Sequence, residues 1–221
     1  MTLYAEFFMS DSLQTRLIQT RVVPVLRYGD AESALYAADI AIRAGFECIE
    51  LTWTIPNVLD VLRNLRQQHG ASVLLGVGTL MEEDQAQRAL DAGADFLVSP
   101  GLATDLVAPA HEAGKLCLLG AFTPSEVMAA IQARADIVKV FPADTGGPTH
   151  LAALRAVFSS TLFCPTGGVS AQNMHDYFRA GANVVGIGSS LFDKQAFAAR
   201  DTDRLLAAAR HTLEAAHGKP A

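Results

Sequence analysis

A chain of 221 residues, half of them hydrophobic and 18% charged, has ample apolar material for one large core. α/β barrels reach this length as a single unit, and residues 1–221 are read as one such domain. The formal net charge of −6 argues against non-specific nucleic-acid binding, which needs a basic face. An anionic ligand would have to be held by local donors, because the overall field repels it.

Ser10 or Asp11 can cap a first helix, Ser12 to Gln19, with Leu13, Leu17 and Ile18 on one face. Arg21 to Arg27 reads as a first strand, and Ala31 to Ala44 as a helix stopped by Gly45. Phe46 to Thr52 is a second strand, after which Ile55-Pro56-Asn57 opens a helix. The unit then recurs, with strands at Ser72–Gly76, Phe96–Ser99, Leu116–Leu119, Ile137–Phe141, Leu162–Thr166 and Val184–Ile187. Ala-Gly joints stand before most of them, at Ala44-Gly45, Ala92-Gly93, Ala113-Gly114 and Ala180-Gly181, each closing a helix and feeding a strand. Eight strands alternating with eight helices fit a (β/α)8 TIM barrel with an N-terminal helix, ahead of a doubly wound open sheet. His211 to Ala221 is expected to be a frayed tail.

Met1 to Met9 contains Glu6 and lacks a basic n-region, so it is not read as a signal peptide. No apolar run approaches membrane-spanning length, which makes a soluble cytoplasmic protein with no membrane partner the expectation. Cys48, Cys117 and Cys164 lie in apolar, strand-like runs, as reduced core residues do. There is no CxxC or His-rich cluster to suggest a metal site.

Lys139 stands inside the apolar run Ile137-Val138-Lys139-Val140-Phe141-Pro142. Desolvating an ammonium is costly unless it is paired or loses its proton. A snorkelling lysine on an edge strand is the structural alternative. The chain has only four lysines, and the other three look unremarkable: Lys115 before a strand, Lys194 in a loop, Lys219 in the tail. A desolvated neutral amine is a nucleophile towards carbonyls and can form a Schiff base. Glu50 lies between Ile49 and Leu51, where an isolated carboxylate also costs free energy. It is either a structural partner for a buried cation or a proton shuttle for imine chemistry. In a TIM barrel the site lies at the C-terminal strand ends, where Arg27, Thr54, Thr79, Pro100, Phe141 and Thr166 stand. Gly167-Gly168 and Gly188-Ser189-Ser190 occupy the usual phosphate position of this fold.

Together these residues resemble the 2-keto-3-deoxy-6-phosphogluconate and 4-hydroxy-2-oxoglutarate aldolase family. The blocks that carry the resemblance are Gly76-Val-Gly-Thr79-Leu, Val98-Ser-Pro100-Gly101, Thr123-Pro-Ser-Glu126, Lys139-Val-Phe141-Pro-Ala and Phe163-Cys-Pro-Thr166-Gly-Gly168. The resemblance implies Lys139 as the Schiff-base lysine and Glu50 as the proton shuttle. It implies Thr79 at the pyruvate carboxylate, Pro100 and Phe141 as walls, and Gly167, Gly168 and Ser190 around the phosphate. It implies a homotrimer without a metal or other cofactor, acting on a phosphorylated keto sugar acid and pyruvate. One departure stands out. The gluconate enzymes have a motif like Glu-Val-Thr-Leu-Arg-Thr, whose arginine helps bind the carboxylate, and here the block is Glu50-Leu51-Thr52-Trp53-Thr54. Galactonate-type members also lack that arginine and carry one at the end of the first strand, as Arg27 does, whereas Thr166 resembles the gluconate type. Arg27 is therefore expected to reach into the barrel mouth and supply the missing charge with Thr79. The rival readings are a sugar-phosphate isomerase or epimerase on the same barrel, and a barrel that only binds a phosphorylated metabolite.

Overall fold

The computed structural model of the chain describes residues 12–218. The reading of Met1–Met9, the caps at Ser10 or Asp11 and the last residues of the expected tail lie outside them. Ser12 itself caps helix α1 (Leu13–Gln19), its side chain accepting from the Thr15 N–H.

Eight parallel strands follow: β1 (Val22–Leu26), β2 (Cys48–Thr52), β3 (Leu74–Gly78), β4 (Phe96–Val98), β5 (Leu116–Ala121), β6 (Ile137–Val140), β7 (Phe163–Pro165) and β8 (Val185–Ile187). Consecutive strands pair from β1 to β7, and β8 pairs with β1. A bridge between Thr166 and Gly186 closes the β7–β8 seam. The closed (β/α)8 barrel is thus the observed fold. The helices are α2 (Ala31–Ala44), α3 (Val58–His69), α4 (Glu83–Asp91), α5 (Val107–Glu112), α6 (Pro124–Gln132), α7 (Ala143–Val157), α8 (Met174–Arg179), α9 (Lys194–Ala198) and α10 (Thr202–Ala216). Gly45, Gly93, Gly114 and Gly181 all take positive φ, as the helix-stop reading of the Ala-Gly joints requires.

Two expectations are corrected here. The segment from His211 is not frayed: α10 runs to Ala216 and packs against α2, with Thr212, Ala215 and Ala216 buried. Its alanines give it helix propensity and a small-residue face that sits close to its neighbour. Lys194 is not in a loop but opens α9, an extra short helix between β8 and α10.

Strand alternation splits the core in two. Val138 and Val140 of β6 belong to the outer core beneath the helices, whereas Ile137 faces the barrel axis. The lower half of the lumen is filled by Val23, Cys48, Leu74, Phe96, Leu116 and Ile137, and Leu17 of α1 packs with them. Burying Leu17 contributes about 2 kcal/mol of hydrophobic stabilisation. At this closed end Asp95 accepts from the Leu75 N–H at 3.1 Å, from Lys115 at 2.9 Å and from Arg66. Burial alone would raise its carboxyl, but these donors outweigh it and hold the group below its ordinary range. Lys115 is therefore an anchor between β4 and β5. The three cysteines are buried and unpaired.

Candidate active site

The same alternation that points Ile137 inward points Lys139 inward one layer higher, and in β2 it puts Glu50 above Cys48. Glu50 is in register with Val25 and Gly76, and Lys139 with Gly120 and Cys164. Strands β2 and β6 are four apart in a ring of eight, so the two side chains meet across the lumen. Lys139 Nζ lies 3.6 Å from Glu50 Oε1, with the residues 5% and 3% exposed. That separation suits an ion pair but exceeds a hydrogen bond. Glu50 Oε1 is a buried oxygen with no hydrogen-bond partner among the described residues.

Stability does not account for this pair. Desolvating both charges costs more than one loose contact returns, and apolar residues of similar shape would serve the core as well or better. The surroundings are nonetheless shaped to hold the carboxylate. A Cβ placed on Gly78 would come within 1.9 Å of Glu50 Oε1, so only glycine at this position leaves the side chain its place. Gly78→Ala is accordingly expected to displace the carboxylate by about an ångström and lower kcat on the order of 10²-fold. A Gly78→Ala variant with kcat at the wild-type value would show that the Glu50 position is not critical.

Above this pair, Arg27 leaves the end of β1 and donates to Thr54 Oγ1 at 3.1 Å and to Thr79 Oγ1 at 3.0 Å. Thr54 in turn shares a hydrogen bond with Thr52 at 2.9 Å. Thr79 has φ +63°, a left-handed conformation that a β-branched residue rarely adopts. Such outliers gather at functional sites, where the surrounding structure enforces them.

Lys139 opens into a cavity of about 700 Å³. Arg27, Thr79, Pro100, Phe141 and Thr166 border it, and Gly167, Gly168, Ser189 and Ser190 form the side over β7 and β8. Lys139 Nζ lies 5.5 Å from the centre of the Phe141 ring. Gly167 and Gly168 take φ +99° and +68°, left-handed conformations that favour glycine. The Ser190 hydroxyl donates to the Val169 carbonyl at 2.7 Å, which ties the loop after β8 to the loop after β7.

Of the residues singled out in the sequence, eleven border this cavity. Glu50 lies against Lys139, and Thr54 is tied to the site through Arg27. Other residues of the wall were missed, Tyr28, Lys194 and Phe197 among them. Burial pushes the Tyr28 hydroxyl up to about 12. Its position directly after Arg27, at a strand end, was the available signal. Among the described residues, no three His, Cys, Asp or Glu side chains gather as a metal site, and no helix is long and apolar enough to cross a membrane.

A buried lysine against a carboxylate, below a cation and a glycine-serine rim at a barrel mouth, is the arrangement of a Schiff-base aldolase. A family model described as KDPG and KHG aldolase matches residues 13–208. The 2-dehydro-3-deoxy-phosphogluconate aldolase of Treponema pallidum (strain Nichols) is 33% identical over 90% of this chain and 94% of its own. A probable 2-dehydro-3-deoxy-6-phosphogalactonate aldolase of Rhizobium meliloti (strain 1021) is 32% identical over 89% and 93%. Among solved structures, the KDPG aldolase of Legionella pneumophila, with pyruvate captured as a covalent carbinolamine, has a TM-score of 0.82. It is 26% identical over 90% of this chain and 97% of its own. The chain belongs to the KDPG and KHG aldolase family.

Proposed function

We propose that the chain reversibly cleaves a 2-keto-3-deoxy-6-phospho sugar acid, the gluconate first, to pyruvate and glyceraldehyde 3-phosphate. The observation that carries this reading is the 3.6 Å approach of Lys139 Nζ to the otherwise unpartnered Glu50 Oε1 beneath the cavity. In this reading the Lys139 amine attacks the C2 ketone, and loss of water leaves an iminium that can accept an electron pair. Glu50 takes the proton of the C4 hydroxyl and the C3–C4 bond breaks, its electrons passing into the enamine of pyruvate. The aldehyde departs. A proton returned through Glu50 reaches C3, and water hydrolyses the imine to free pyruvate and Lys139. No metal is needed for these steps, since the iminium itself is the electron sink.

The substrate carboxylate is assigned to Arg27 with Thr54 and Thr79, the phosphate to Gly167, Gly168, Ser189 and Ser190, and the side walls to Pro100, Phe141 and Thr166. Arg27 makes up for the arginine that the Glu50–Thr54 block lacks, because its guanidinium already reaches the Thr54 hydroxyl. A hydrogen bond to a charged group is worth about 1.5–3 kcal/mol, so Arg27→Ala should weaken pyruvate use at least about tenfold. Unchanged kinetics with both pyruvate and the sugar acid would leave the carboxylate to neutral donors. Arg27 also supports a second reading, in which the galactonate epimer is preferred. The ratio of kcat/KM for the two epimers decides between them.

The homotrimer is carried over from the family, and exposed apolar side chains offer surface for an interface between copies. Met81 and Leu102 follow β3 and β4, and Met128 and Ile131 share a face of α6. Buried free cysteines favour a reducing, cytoplasmic setting. The test of the reaction is incubation with pyruvate and borohydride, which should add one reduced pyruvyl group to the chain. An isomerase, an epimerase or a binding barrel would gain none.

A further inference from the structure

The charged side chains bordering the cavity are Arg27, Lys139 and Lys194, three cations in a chain of net charge −6. Two of them are engaged. Arg27 turns towards β2 and β3 through Thr54 and Thr79, and Lys139 faces Glu50. Among the described residues, the Lys194 ammonium has no hydrogen-bond or ion-pair partner. The adjacent carboxylate is occupied: Asp193 accepts from the Ala196 N–H at 2.8 Å and pairs with Arg204 at 3.4 Å.

Helix α9, too short to be stable by itself, is fixed by aromatic packing. Phe197 stacks on Tyr28 with ring centres 4.7 Å apart and planes 21° apart. It is tilted against Tyr36 at 5.5 Å and Phe192 at 6.1 Å. Lys194 stands three residues before Phe197, on the same helical face, so anchoring the ring carries the ammonium to the cavity. Its side of the cavity is the one formed by the loops after β7 and β8, opposite the direction in which Arg27 turns.

We propose that Lys194 is a specificity-determining residue for a phosphate-terminated substrate, adding a charge to a site otherwise made of neutral N–H and hydroxyl groups. The proposal rests on the aldolase reading of this cavity and deepens it. A dianionic phosphate gains from the ammonium, whereas a terminal hydroxyl gains little. Part of Lys194 is exposed, so its contribution is screened by salt.

The experiment compares kcat/KM for 2-keto-3-deoxy-6-phosphogluconate and for unphosphorylated 2-keto-3-deoxygluconate at low and high ionic strength. Lys194→Gln should lower the ratio of the two about tenfold and remove most of its salt dependence, and Lys194→Arg should restore both. A ratio that Lys194→Gln leaves unchanged makes Lys194 a plain rim residue and overturns the proposal. Calorimetric titration with glycerol 3-phosphate separates this from failure of the aldolase reading. If the wild-type chain traps no pyruvate, that reading fails by itself. Weaker glycerol 3-phosphate binding in Lys194→Gln, restored in Lys194→Arg, then still supports the lysine, and equal binding sinks it.

Discussion

Lys139→Arg is expected to abolish covalent capture of pyruvate and to lower turnover by about 10⁴-fold or more, the scale on which losing a covalent nucleophile acts. Arginine keeps a positive charge near Glu50 and much of the side-chain volume. It stays protonated and cannot attack a ketone. The substitution thus isolates nucleophilicity from charge. Peptide mass mapping of wild-type protein treated with pyruvate and borohydride should place the single reduced pyruvyl group on Lys139. The candidates against it are Lys115, committed to Asp95 at the closed end of the barrel, and Lys194, at the cavity rim. Modification of either in place of Lys139 would overturn the assignment.

Glu50→Gln should lower kcat by about 10²–10⁴-fold while borohydride trapping of pyruvate persists at a slower rate. Glutamine has nearly the shape of glutamate, so the space over Gly78 stays filled and the barrel has no void to repack around. What it loses, on the proposed mechanism, is the ability to take the C4 hydroxyl proton and to return one to the enamine. Trapping alone requires carbinolamine formation and dehydration, which water can assist through the open mouth. The two readouts therefore separate a proton shuttle from a structural partner. Wild-type turnover in Glu50→Gln would make Glu50 the structural partner that the sequence also allowed.

The architecture was legible because each βα unit repeats the same apolar run and Ala-Gly joint, and that repetition outweighs errors at single ends. Those errors have physical causes. The third strand is read from the sequence as Ser72–Gly76, whereas β3 continues through Gly78. Glycine there provides room for a side chain of the neighbouring strand, which no propensity scale records. Lys139 and Glu50 were legible because a charge inside an apolar strand violates its surroundings. Arg27 was legible from the gap at Thr54. Lys194 was not, since a lysine in a polar segment carries no such violation and its meaning comes from Phe197, three residues on. The tail from His211 was misjudged because its buried face is mostly alanine, which reads as weakly hydrophobic until the partner helix is known.

The left-handed backbone at Thr79 sets thermal robustness against function. Holding a β-branched residue there costs on the order of 1–3 kcal/mol, which glycine would not incur. Glycine would also remove the hydroxyl that receives Arg27 Nη2. A selection for heat resistance alone would thus favour glycine after β3, and in doing so would loosen the guanidinium assigned to the substrate carboxylate. At this strand end, resistance to heat and grip on the substrate pull the sequence in opposite directions, and the threonine marks the side on which this chain has settled.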